Sequence, residues 1–214
     1  ADTNINMPVK SNIIPSSVAL PEIPKEINDG VLIDYPAGWS LVTSLFPENS
    51  KPVEIFGTIP TKILKYNNSS KTYEESSVMY NGIGYWVYFD QNIRTRINNQ
   101  KIRTDDKYSL RIDSCKNDYA FLGNPYNQII YPYNIRIGQF GPWGSDKQQS
   151  LADTPNQYII LYDKFNNSYK QTHATEKVQI NPGQGFLYLC NSKAESILIT
   201  FDIRDKKIIF DEQR

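Results

Sequence analysis

The stretch that decides the fold is "NGIGYWVYF" (81–89), because its pattern returns later as "INPGQGFLYLC" (180–190). A Gly-x-Gly pair can open a dinucleotide-binding loop, but that fingerprint needs a third glycine and a helix behind it. Here an aromatic block follows instead, and Tyr, Trp, Val and Phe suit a pleated strand. Gly82 and Gly84, like Gly183 and Gly185, therefore read as a turn or bulge that calls on positive φ. In the strand that follows, Tyr85, Val87 and Phe89 share one face, and Trp86 and Tyr88 share the other. "GFLYLC" sets Phe186, Tyr188 and Cys190 against Leu187 and Leu189. Apolar residues on both faces predict a strand covered twice, in a sandwich with a flanking layer or at a domain interface.

Two further segments repeat in the same order. "AGWSLVTSLFPE" (37–48) matches "DYAFLGNPYNQ" (118–128), with Trp39 against Tyr119 and Phe46 against Tyr126. "KILKYNNSSKTYEES" (62–76) matches "YIILYDKFNNSYKQT" (158–172): Tyr66 and Tyr73 are spaced like Tyr162 and Tyr169, around an Asn-Asn-Ser turn. Such turns tolerate left-handed backbone and mark hairpins. Repeated units fix a fold, and two copies predict a duplicated module. The expected fold is all-β: two copies of an antiparallel β module, sandwich or barrel-like, with an extended N-terminal arm. The arm covers 1–30, the first module 31–107, and the second 108–214 with a long inserted loop and a C-terminal hairpin. Between the repeats, "RTRINNQKIRT" and "YSLRIDSC" are expected to pair with each other. The one helical candidate is a single turn within "SDKQQSLAD" (145–153).

The order "GW-S-L-V … ILKY … G-x-GYWV", with its partner "FLGNPY … YD … NPGQGF", resembles a β module recurring in bacterial secreted and cell-surface proteins. The resemblance covers roughly 31–90 and 108–191. It implies a β fold and an extracellular setting and is tied to no single activity. The first copy departs from it in having Thr43-Ser44 where the second has Gly123-Asn124.

Composition narrows the function classes. Hydrophobic residues make up 39% of the 214, enough for a packed core, and 23 basic residues balance 23 acidic ones. A nucleic-acid binder concentrates basic charge, whereas "RTRINNQKIR" (94–103) runs straight into Asp105 and Asp106. No nucleic-acid partner and no membrane insertion are expected, since no run of 18 apolar residues occurs. "ADTNINMPVK" reads like a mature N-terminus after signal removal, which predicts secretion.

Catalytic patterns are thin, so no enzyme and no cofactor are expected. His173, the one histidine, lies in a polar run without a Gly-x-Ser-x-Gly elbow. Glu74-Glu75 and Asp105-Asp106 are adjacent pairs whose side chains diverge on a strand. "DQN" (90–92) and "DIRD" (202–205) are too sparse for a calcium loop. Cys115 and Cys190 sit at strand ends, and in an oxidising compartment a bridge between them is expected. It would close a loop of about 75 residues and stabilise by roughly 4 kcal/mol. Asn67 and Asn166 begin Asn-x-Ser sequons at turn tips, the candidate glycosylation sites. In the longer loop 131–156, Trp143, Tyr131 and Tyr133 are candidate contacts for a glycan or a protein neighbour.

The arm, with prolines at 8, 15, 21 and 24, suits neither helix nor central strand. An extended arm can add as a strand to a neighbouring subunit, with Ile13, Ile14, Val18 and Leu20 filling pockets. The sequence therefore points to a subunit of an extracellular assembly such as a filament, pilus-like fibre or surface layer, a homo-oligomer or polymer joined through that arm. A carbohydrate-binding or adhesive β domain is the alternative.

Overall fold

A computed structural model of the chain describes residues 30–141, 144–145, 148–153, 157–176, 178–190 and 195–204. The arm with Ile13, Ile14, Val18 and Leu20, the residue Trp143, and the second limb of the C-terminal hairpin lie outside the described residues.

The first copy runs β1 (Val31–Tyr35), β2 (Gly38–Val42), helix α1 (Pro52–Phe56), β3 (Lys62–Asn67), β4 (Thr72–Glu75), β5 (Tyr85–Phe89) and β6 (Ile93–Ile97). The second runs β7 (Lys107–Asp113), β8 (Tyr119–Gly123), β9 (Ile135–Gly141), β10 (Gly144–Ser145), β11 (Gln149–Ser150), β12 (Tyr158–Asp163), β13 (Ser168–His173), β14 (Gly185–Leu189) and β15 (Ser196–Asp202). One antiparallel sheet has the order β2-β5-β3-β4 and another β8-β14-β12-β13, the same path taken by the matched strands. The registers agree as well. Leu41 lies opposite Trp86 in one copy and Phe121 opposite Leu187 in the other, and Tyr66–Tyr73 and Tyr162–Tyr169 are directly opposed pairs.

Each copy also pairs its opening strand with its closing one, β1 with β6 and β7 with β15. This corrects the expected pairing of "RTRINNQKIRT" with "YSLRIDSC". Those segments close one copy and open the next, and each finds its partner at the far end of its own copy. The inserted loop becomes β9, β10 and β11, with 3-10 turns at Pro132–Asn134 and Leu151–Asp153; β9 pairs along β15. The first copy has α1 between the matching strands, set against β6, with the Thr95 hydroxyl donating to the Ile55 carbonyl. Pro52 opens α1, and Gly57, at φ 70°, ends it. Proline at the first turn and left-handed glycine after the last are ordinary helix limits.

The two-faced strands are covered as the sequence predicts. Tyr85, Val87 and Phe89 pack with Val31, Ile33 and Tyr35 of β1 and with Ile55 and Phe56 of α1. Phe186 and Tyr188 pack with Ile197, Ile199 and Phe201 of β15 and with Ile135 and Ile137 of β9. Between the two four-stranded sheets a third core joins Leu41 and Trp86 to Phe121, Tyr162 and Leu187. Here the Trp86 ring meets Tyr162 edge-on at 4.8 Å, and Tyr66 lies 4.9 Å from Phe121. Edge-on and tilted contacts are the favoured geometries for aromatic quadrupoles.

The Gly-x-Gly turns hold the copies together. Thr43 N–H donates to the Gly183 carbonyl at 2.9 Å, and its counterpart Gly123 N–H donates to the Gly82 carbonyl at 3.0 Å. Reciprocal bonds between matched residues define a pseudo-two-fold axis. Gly82 and Gly183 have φ of 77° and 67°, so the expectation of left-handed backbone holds for the first glycine of each pair. The second glycine is needed for space: a Cβ on Gly84 would lie 2.7 Å from the Leu122 carbonyl oxygen, and one on Gly185 would lie 3.0 Å from that of Leu41. The departure at Thr43 now has a reason. A Cβ on Gly123 would fall 2.4 Å from the Cβ of Thr43, so the two matched positions face each other and only one of them can carry a side chain.

Candidate functional site

The site begins with β1, which pairs with β6 on one side and with no described strand on the other. Beside that open side lies a cavity of about 630 Å³ between β1, the β12–β13 hairpin and the 179–184 turn. Leu32, Leu41, Val42 and Leu161 supply apolar wall, and Asp34, Lys164, Gln179 and Asn181 supply polar groups. The cavity therefore draws on both copies.

Lys164 is its central polar group. The hairpin tip carries it across the joint, where its ammonium donates to the Asp34 main-chain carbonyl and stands 4.6 Å over the Tyr35 ring. Burial draws the Lys164 ammonium down to about 8, while the Asp34 carboxylate acts to raise it. Asp34 itself is held low chiefly by its hydrogen bond with Arg94, which binds it from the paired strand through two contacts at 2.6 and 2.8 Å. At the base of the hairpin tip, the Asp163 carboxylate accepts the N–H groups of Phe165 and Asn166 and the Asn166 amide. Burial opposes its ionisation, but these bonds hold its pKa below the usual value. Such an Asx turn fixes the tip without help from other strands.

The matched hairpin of the first copy docks in a similar way. Asn68, the counterpart of Lys164, donates its amide to the Tyr119 carbonyl at 2.9 Å, and the Tyr66 hydroxyl donates to Asp118 at 2.9 Å. Both tips thus reach a main-chain carbonyl of the opposite copy.

A second polar cluster lies on the joint. Asn81, 2% exposed, donates to the Ser44 and Pro125 carbonyls at 2.7 and 3.2 Å and accepts from Arg103 Nε at 2.8 Å. The Arg103 guanidinium lies 4.0 Å from the Tyr108 ring and pairs with Asp105. This Asn81–Arg103 cluster ties the two copies together.

The cysteines chosen from sequence do meet, with a correction. Cys115 and Cys190 are buried as free thiols close to each other, not joined as the expected disulfide. Their contact, then burial, push the Cys190 thiol well above its ordinary value. The strand ends bring the two side chains together without joining the sulfurs.

The other candidates are dispersed. Tyr131 and Tyr133 flank Pro132 and stack at 5.2 Å with rings 7° from parallel, both half-buried, and Tyr131 receives the Gln179 amide at 3.4 Å. Asn67 and Asn166 occupy hairpin tips, with amides engaged by Glu74 and Asp163. His173 contacts Thr175 and the Tyr158 ring. Glu75 pairs with Lys62 at 3.7 Å, and Asp105 pairs with Arg103. Among the described residues no group of three or more His, Cys, Asp or Glu is gathered to hold a metal ion, and no helix is long and apolar enough to cross a membrane.

Sequence reasoning missed Lys164, Asp34 and the Asn81–Arg103 cluster. Lys164 had one signal: it stands beside the second Asn-Asn-Ser turn where the first copy has Asn68. Comparison with protein-family models, with curated proteins and with solved structures finds no match to this chain.

Proposed function

We propose that the protein is a structural subunit of an extracellular assembly, a fibre or surface layer, joined through its N-terminal arm. The observation that supports this reading is the open side of β1. Among the described residues the outer sheet of the first copy has two strands, and the arm precedes one of them in the sequence. An open strand edge is a ready template for another chain, and strand addition uses it productively. Electron microscopy and sedimentation of the full chain, with and without residues 1–25, test the proposal. Assembly of the full chain and its loss on truncation are expected. Polymers that persist without the arm would end it.

The stacked Tyr131–Tyr133 pair favours a second reading, a carbohydrate-binding or adhesive domain, since half-exposed rings offer a face to a sugar. A glycan array on the monomer, repeated with Tyr131→Ala, tests it. Binding that weakens in the variant is its signature, and a blank array rejects it.

A further inference from the structure

Building on the assembly reading, we propose that the cavity beside β1 is the acceptor site for residues 16–20 of the arm of a second copy. The backbone of β1 gives the first argument. The Asp34 carbonyl accepts the Lys164 ammonium and so points away from β6. In an antiparallel pair, residues two apart direct both main-chain groups to the same side. The N–H and C=O of Leu32 therefore point with those of Asp34 toward the cavity. An incoming strand can bond there without disturbing β6.

Shape and sequence give the second. β1 has five residues, which span about 17 Å as a strand. "SSVAL" (16–20) is a run of five residues between Pro15 and Pro21, the same length as β1. Its Val18 and Leu20 fall on one face at strand spacing, and the cavity presents Leu32, Leu41, Val42 and Leu161 to receive them. The open cavity fits two branched side chains and a length of backbone. Lys164 now acquires a role: its hold on the Asp34 carbonyl occupies one of the bonding positions, and the arriving N–H takes its place.

Two experiments on the full chain test the site separately from the assembly reading. A photo-crosslinking amino acid at Val18, in a mixture of ¹⁴N- and ¹⁵N-labelled chains, is mapped by mass spectrometry. Adducts joining chains of different label at 31–35 or 160–170 are expected. Adducts elsewhere, adducts within one chain, or no adduct would overturn the site. Leu32→Pro is the second probe. It removes an N–H that faces the cavity and not β6, so pairing within the fold survives. The variant is expected to raise the critical concentration for assembly at least tenfold with Tm within a few degrees of the parent. Unchanged assembly would overturn the site. A chain that assembles through its arm yet fails both probes keeps the assembly reading and loses the acceptor.

Discussion

Replacing Gly84 by alanine adds one methyl group where the second copy crosses the first. Gly84 lies outside the positive-φ glycines, so backbone preference alone favours the change: alanine at such a position stabilises by about 0.4–1 kcal/mol through the unfolded chain. Packing opposes it. The new Cβ would sit 2.7 Å from the Leu122 carbonyl oxygen and 3.0 Å from the Leu122 nitrogen. Those atoms belong to β8, pinned by its ladder to β14, and cannot yield like the end of a side chain. Relief requires the copies to part and stretches the 2.9 Å bond from Gly84 N–H to the Phe121 carbonyl. Overpacking of about 1–3 kcal/mol and about 1 kcal/mol for the hydrogen bond, less the gain from the unfolded chain, give a net loss of about 1–3.5 kcal/mol. For a chain of this length that lowers Tm by about 2–14 °C. Urea unfolding followed by tryptophan fluorescence measures it, with Trp86 reporting from the inter-sheet core. A neutral or stabilised Gly84→Ala variant would refute the reasoning, because the sign depends on the crossing chain. Gly185→Ala, with a Cβ 3.0 Å from the Leu41 carbonyl oxygen, should behave alike.

Three other outcomes follow from groups at the joint and in the cores. Lys164 has a folded pKa near 8 against 10.5 free, so its charged form is disfavoured in the fold, and stability rises as pH climbs from 8 to 10.5. Lys164→Met should exceed the parent by about 1–2 kcal/mol at pH 7, with the gain gone by pH 10.5; a gain that stays constant across pH 7–10.5 in paired urea titrations counts against the assignment. Asn81→Ala strips hydrogen bonds from two buried carbonyls and from Arg103, and about 2–4 kcal/mol of destabilisation is expected; a loss below 0.5 kcal/mol in calorimetry would show that water replaces the amide. Cys115 and Cys190 should react slowly with a thiol reagent at pH 8 in the reduced native protein, and both should react promptly in urea, because burial shields both sulfurs from the reagent; prompt native reaction would contradict their burial.

Much of this architecture was legible from two kinds of regularity. The spacing of Tyr66–Tyr73 and Tyr162–Tyr169 located two hairpins, and each pair proved to be directly opposed across its strands. The alternation in "GYWVYF" assigned both faces, because a strand has no other way to place successive side chains. What the sequence hid was relational. The pairing of β1 with β6 joins segments about sixty residues apart, and nothing local in "RTRINN" announces its partner. The requirement for Gly84 came from a chain that crosses it in space, and the contrast of Thr43 with Gly123 became intelligible only once the two were face to face. Lys164 was invisible for the same reason: it is an ordinary hairpin lysine until the other copy supplies a carbonyl, a carboxylate and a tyrosine ring.

The pseudo-two-fold joint also limits the valence of the molecule. A contact between matched surfaces is self-complementary, and when both surfaces belong to one chain the contact closes upon itself. The faces bearing Trp86 and Tyr162 saturate each other, as do the two glycine turns. The features that the duplication left unequal are helix α1 in the first copy and the β9–β11 insertion in the second. In that sense the differences between the copies give the molecule a head and a tail, which identical halves could not provide.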